Sequence, residues 1–341
     1  SRVMQGMRVL GLMVDGAAGK PARVVADAMV PAWFSGQEPT VDEAVDTLVE
    51  LYDHATALAR TILDEGTYDD YRDVTYPKII VDVKAWRPID RNEPFGYVDE
   101  AGRYAATLSK PHIIRDYLRE QLTRLTDNYP CEIFVGPSSE RIPPEYIRGI
   151  EGISEARRAG DSAAEIPRPT LDDVHDGIVD GEWEAFHGVE KPLFHFGPQR
   201  FDIACARIEH YTGIEVETLQ RFILFTNYDM HTTEFVDFGL SELTREDARY
   251  TDLLLPSGRQ ISRDKAPRID APSLDLGSRF QMPRYDLCTR DGDGITMINI
   301  GVGPSNAKTI TDSLAALRPE AWIMIGHCAG LDARMRIGDL I

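Results

Sequence analysis

The chain has 341 residues, 43% of them apolar and 27% charged, which is enough for two domains that each bury a core and is the composition of an ordinary globular protein. Its formal net charge of -19 excludes non-specific attraction to nucleic acid or anionic lipid, both of which need clustered Lys and Arg, but leaves open a small phosphorylated ligand held by a few local groups. Four cysteines without a Cys-x-x-Cys pair, no apolar run of the ~18 residues a membrane span needs and no signal-like start point to a cytoplasmic protein without membrane segments.

Residues 1–37 read as a weakly ordered leader, in which Gly16-Ala17-Ala18-Gly19-Lys20 imitates a phosphate loop without the strand, the helix or the Ser/Thr that such a loop requires. The first residue is Ser1 and the last five end inside an apolar segment, so both ends read as cut. Thr40 and Glu43 form a capping box, followed by Val41, Ala44, Val45, Leu48, Leu51, Tyr52, Ala55, Leu58 and Ile62 at helical spacing up to Gly66. Ile79–Trp86, Arg103–Leu108 and Glu132–Val135 read as strands, with a helix carrying Ile113, Ile114, Tyr117, Leu118, Gln121, Leu122 and Leu125 before the last of them. Prolines at 137, 143, 144, 167 and 169 mark residues 136–173 as a surface excursion. A helix over Phe201–Tyr211 and a strand over Arg221–Phe225 then begin a strand-loop-helix alternation. The organisation expected is an α+β domain over 38–214, then an α/β domain from 215 to 341.

Chemistry concentrates in the second part. Tyr285–Thr289, the turn-prone Asp291-Gly292-Asp293-Gly294 and Ile295–Ile300 predict a β-hairpin. Its second strand runs into Gly301-Val302-Gly303-Pro304-Ser305-Asn306 and a helix over Ala307–Leu317 that Ser305 or Asn306 would cap. Ala321–Ile325 predicts a buried parallel strand leading into Gly326-His327-Cys328-Ala329-Gly330. Ligands collect at the carboxyl ends of strands in open α/β sheets, so the two loops are expected side by side on one crevice, their glycines admitting close backbone approach. His327 stands equally as a site group or a structural donor, whereas Cys328 reads as a packed thiol. The other histidines, His231 among them, have no metal-ligand spacing, and no metal site is implied.

The segments Ile298-Asn299-Ile300-Gly301-Val302-Gly303-Pro304-Ser305-Asn306-Ala307-Lys308-Thr309 and Met324-Ile325-Gly326-His327-Cys328-Ala329-Gly330-Leu331 closely resemble bacterial AMP nucleosidase, as do Phe225-Thr226-Asn227-Tyr228, Ala206–Gly213, Gln281-Met282-Pro283 and Tyr117–Leu122. The resemblance covers roughly residues 40–341. It implies hydrolysis of AMP to adenine and ribose 5-phosphate on an α/β nucleoside-phosphorylase-like domain, incomplete here, behind an α+β regulatory domain. The chemistry itself would need no cofactor. MgATP as activator, phosphate as inhibitor and a homo-hexamer are further implications.

Carried over by motif, Gly301, Val302 and Gly303 line the ribose, and Gly326, His327, Cys328 and Ala329 lie near phosphate, ribose or base. Asn227 and Tyr228 border the phosphate pocket. Ala329 stands where the family pattern has a second glycine. The family's Met-Glu segment and its Ser-Asp segment, whose Asp protonates the departing purine, have no counterpart before Ile341; no catalytic residue is therefore expected within this chain, and the chain is expected to be inactive as it stands. Two other readings compete: a non-catalytic nucleotide-sensing or assembly module, and a transferase of the purine nucleoside phosphorylase type.

Overall fold

The computed structural model describes residues 40–65, 68–89, 96–148, 166–170, 177–178, 180, 190–269, 274, 279–327, 330, 332–336 and 338–339. The leader over 1–37, most of the 149–189 stretch, Cys328 and Ala329 lie outside the described residues. The chain divides into two compact units, Ser1–Ile203 and Ala204–Ile341. Each contains helices and one mixed sheet. Among the described residues no helix is long and apolar enough to cross a membrane.

In the first unit helix α1 (Val41–Glu65) opens on the expected capping box: Glu43 N–H donates to Thr40 Oγ1 at 3.2 Å, and the Glu43 carboxylate accepts from Thr40 N–H at 3.0 Å. Its apolar stripe packs on a four-stranded sheet of order β3-β1-β2-β4, made of β1 (Thr75–Val83), β2 (Gly102–Thr107), β3 (Cys131–Arg141) and β4 (Lys191–Pro192). Tyr52, Ala55, Ala59, Ile62 and Leu63 of the helix meet Tyr71, Val74, Tyr76 and Ile142 in one buried cluster. Each large apolar side chain buried there contributes about 1.5–3 kcal/mol. Helix α2 (Arg115–Asn128) buries Leu118, Leu122 and Leu125.

The excursion expected from residue 136 begins later than the prolines suggested. β3 runs through Pro137 to Arg141, because it is an edge strand and a missing N–H there costs no ladder bond. The register shift between Thr75 and Pro77 opposite it absorbs the irregularity. Ile142, Pro143 and Pro144 are buried and lead into the single-turn helix α3 (Glu145–Arg148).

Helix α4 (Pro198–Thr212) contains the boundary between the units. Its Asp202 is buried against the first sheet, accepting from Tyr76 Oη at 2.7 Å and Ser109 Oγ at 2.5 Å. Burial pushes the Asp202 carboxyl up to about 6, against the partial offset of those two hydrogen bonds. An unfolded Asp titrates near 3.8, so between these values the folded chain holds a proton that the unfolded chain has lost. The contribution of Asp202 to stability is therefore greatest below the lower value and falls by roughly 2–3 kcal/mol as pH rises through about 6. Asp202→Asn is expected to flatten this slope in urea unfolding at pH 4 to 7; an unchanged slope would assign the pH dependence elsewhere.

The second unit is built on a six-stranded sheet of order β10-β5-β9-β8-β6-β7. Its strands are β5 (Phe222–Thr226), β6 (Asp252–Leu255), β7 (Arg259–Ser262), β8 (Arg284–Cys288), β9 (Ile295–Asn299) and β10 (Ala321–Ile325). β10, β5 and β9 run parallel, and β8, β6 and β7 continue the sheet antiparallel. The expected β8–β9 hairpin is present, with Arg284 opposite Ile298 and Leu287 opposite Ile295. Helix α5 (Asp229–Thr244) follows β5 and helix α6 (Pro304–Leu317) follows β9. Phe235, Val236, Leu240 and Leu243 of α5 pack with Leu253, Leu255, Tyr285, Leu287 and Met297 of the strands.

Two expectations are corrected. β10 is the outer strand of the sheet, and Trp322, Ile323 and Met324 are 44%, 59% and 52% exposed, so it is not a buried strand. β9 and β10 are not neighbours, because β5 lies between them and pairs with both. Their carboxyl ends nevertheless share one edge of the sheet, with the end of β5 in the middle.

Beneath this edge the hairpin carries a buried charge pair. Arg284 and Asp286 are fully buried, with Nε and Oδ2 3.1 Å apart. Arg284 Nη2 donates to the Glu215 carbonyl at 2.6 Å and to Thr218 Oγ1 at 2.7 Å. Asp286 accepts from Thr296 Oγ1 at 2.6 Å and Thr218 Oγ1 at 3.0 Å. Gln220 N–H closes the network on Thr296 Oγ1 at 3.0 Å, tying the segment that enters β5 to β9.

Candidate functional site

Three parallel strands deliver their carboxyl ends to one edge, and each ends in small or polar residues. β5 ends in Thr226, fully buried, whose carbonyl accepts from Ile300 N–H at 2.8 Å and so holds the exits of β5 and β9 together. Asn227 and Tyr228 follow at once, and α5 starts one residue later with Tyr228 in extended backbone at its N-cap. Tyr228 N–H donates to Thr226 Oγ1 at 3.2 Å.

At the exit of β9, buried Asn299 makes two bonds of opposite kind. Its Oδ1 accepts from Gly301 N–H at 3.0 Å and its Nδ2 donates to Asp229 Oδ1 at 2.8 Å. The glycine turn is thereby fastened to the start of α5. Gly301 and Gly303 have φ of +61° and +117°, which other residues adopt only with strain. A Cβ added at Gly303 would meet nothing within 4 Å, so that backbone faces open space. Val302 stands between them, 85% exposed.

The expected cap of α6 by Ser305 or Asn306 is corrected. Gly303 occupies the N-cap with no side-chain bond, and Pro304, whose missing N–H costs nothing there, is in the first turn. Asn306 points back instead, donating to the Ile300 carbonyl at 2.9 Å and accepting from Gln281 Nε2 at 2.9 Å. The helix start thus keeps amides that no side chain caps, a setting that favours a polar or anionic partner.

At the exit of β10, Gly326 and His327 are exposed. A Cβ at Gly326 would lie 3.4 Å from Asn227 Oδ1 and 3.9 Å from a Tyr228 ring carbon, so this loop rests on the one after β5. The His327 ring stands edge-on to Tyr228 at 5.3 Å. Asn227 Oδ1 is buried without a hydrogen-bond partner among the described residues, an acceptor left for a donor from outside the chain.

Of the nine residues singled out from the sequence, Asn227, Tyr228, Gly326 and His327 form one contiguous group. Gly301, Val302 and Gly303 join the same edge through Asn299 and Asp229. Cys328 and Ala329 lie outside the described residues. Sequence reasoning passed over Thr226, Asp229, Asn299 and His231. Of these His231 is the most informative, its ring being 5.4 Å from Tyr228 and 6.2 Å from His327. The available signal was its position one helical turn past the strand end, not any motif.

Residues 43–190 match the family model described as "Bacterial AMP nucleoside phosphorylase N-terminus". Over 323 residues, 90% of its length, the chain is 38% identical to AMP nucleosidase of Escherichia coli strain K12. The chain is thus similar to bacterial AMP nucleosidases over most of its length. The AMP nucleosidase of Escherichia coli O157:H7 matches to the same extent. The match spans 65% of the length of either relative. The matched amino-terminal region runs from within α1 to the residue before β4, and the identity to the AMP nucleosidases extends beyond that region.

Proposed function

We propose that the carboxyl edge of β9, β5 and β10 binds AMP for hydrolysis of its N-glycosidic bond to adenine and ribose 5-phosphate, and that the second unit is nucleoside-phosphorylase-like. The observation that carries the reading is the convergence of the three strand ends, with open glycine backbone on one side of Asn227 and Tyr228 and His327 on the other, in a chain 38% identical to an AMP nucleosidase. Gly301, Val302 and Gly303 take the ribose. Asn227 and Tyr228 border the phosphate, and Gly326 and His327 stand near phosphate, ribose or base, with Cys328 and Ala329 assigned beside them by motif alone.

Cleavage of such a bond develops an oxocarbenium-like sugar, and a purine leaves readily when an acid supplies it a proton. The groups named here bind and orient; the acid is assigned to none of the described residues. Control by MgATP and phosphate through the first unit, and assembly as a hexamer, belong to the proposal on family resemblance.

Equilibrium binding of AMP followed by analysis of the bound nucleotide tests the reading. Saturable binding is the expected result, and any turnover should give adenine and ribose 5-phosphate. Adenine with a sugar 1-phosphate in phosphate buffer would mean phosphorolysis, and no binding of AMP would overturn the reading. Asn299→Leu keeps the volume but removes both bonds that hold the glycine turn. It is expected to weaken AMP about tenfold, equivalent to about 1.4 kcal/mol; unchanged affinity in titration calorimetry would detach the turn from the ligand.

A further inference from the structure

The ring cluster at the head of α5 holds a residue that neither the motifs nor the function so far has used. His231 is half-buried, and its Nδ1 lies 2.7 Å from Thr226 Oγ1. That hydroxyl already accepts from Tyr228 N–H. A hydroxyl has one hydrogen to give, and where Thr226 gives it to Nδ1 the ring donates from Nε2. Among the described residues Nε2 has no protein partner. A buried threonine thus sets the orientation of the ring and leaves Nε2 at its free end.

His231 is not alone. Tyr228 stands edge-on to both imidazoles, 5.4 Å from His231 and 5.3 Å from His327, and the imidazoles are 6.2 Å apart, so the three rings form a triangle. Asp229, two residues before His231 on the same helix, is bonded to Asn299 and so held toward the exit of β9, whereas the rings gather with the loop after β10. β5 separates these two strands. The edge is therefore polarised: Asp229 and open glycine backbone at the β9 end, and the rings of Tyr228, His231 and His327 at the ends of β5 and β10. A ligand with sugar hydroxyls at one end and an anion at the other matches that order.

We propose that His231 is a specificity-determining residue of this site, donating from Nε2 to the phosphoryl group of a nucleoside 5'-monophosphate beside His327, with Thr226 as its positioning partner. The inference rests on the reading of the edge as an AMP site. It adds the claim that preference for the phosphorylated over the free nucleoside resides in this ring.

The test compares AMP and adenosine binding, with inorganic phosphate as competitor, in the full chain and two variants. Asn can replace Nδ1 toward Thr226 but has nothing at the place of Nε2, whereas Gln places an amide nitrogen near Nε2. His231→Asn is expected to weaken AMP about tenfold, to leave adenosine within twofold and to weaken competition by phosphate. His231→Gln is expected to retain most of the AMP preference. Equal losses of AMP and adenosine, or an unchanged ratio in His231→Asn with unchanged unfolding, would overturn the role of His231 while AMP binding by the parent chain keeps the wider reading. Failure of the parent chain to bind AMP would overturn both.

Discussion

Replacing Asp286 by alanine is expected to destabilise the second unit by about 3–5 kcal/mol, because it leaves Arg284 charged, fully buried and without the carboxylate 3.1 Å from its Nε. Arg284→Ala should cost a similar amount for the mirrored reason. The two losses are not additive: a double replacement by apolar residues of similar volume, Arg284→Met with Asp286→Leu, removes both charges and should lie nearer the parent chain than either single change. Urea unfolding of the four proteins measures this. Single variants within 1 kcal/mol of the parent would show that the pair is already solvated and not part of the core.

Gly294→Val is the second large effect. A Cβ at Gly294 would lie 2.1 Å from the Leu287 carbonyl oxygen and 2.5 Å from Gln220 Oε1. The carbonyl belongs to the partner strand and cannot rotate away, and Gln220 Oε1 already accepts from Gly294 N–H and Thr289 N–H at 3.2 Å each. Accommodation therefore requires opening the β8–β9 hairpin. The expected cost is about 3 kcal/mol, at the upper end for overpacking in a close-packed interior. Because β9 carries the glycine turn, AMP binding should fall with stability. A variant with native stability and weakened AMP binding would contradict the steric account.

Much of this architecture was legible where local chemistry decides the outcome. The Thr40–Glu43 box, the stripe of α1 and the Asp-Gly hairpin depend on neighbours in sequence, and the structure agrees within a few residues. The apolar run of β10 was equally visible, but hydropathy cannot tell a strand with two neighbours from one with a single neighbour. Insertion of β5 between β9 and β10 is likewise a matter of topology, which periodicity does not encode. Pro137 read as a breaker, although an edge strand tolerates it.

The site was legible as loops, not as contacts. Glycines and His327 stood out because of residue type and strand-end position. Asn299 with Asp229 and His231 with His327 meet across 70 and 96 positions, a distance at which no spacing rule applies. The buried charges Asp202, Arg284 and Asp286 were invisible for a related reason: a charged residue in a pattern reads as exposed unless its partner is already known.

The central claim, that AMP binds at the carboxyl edge of β9, β5 and β10, is tested most directly by where the nucleotide is felt. With glycine amides labelled with nitrogen-15, AMP titration followed by NMR should shift Gly301, Gly303 and Gly326 together and saturably, leaving Gly96 and Gly102 of the first unit in place. Shifts confined to Gly96 and Gly102, or no shifts at saturating AMP, would contradict it.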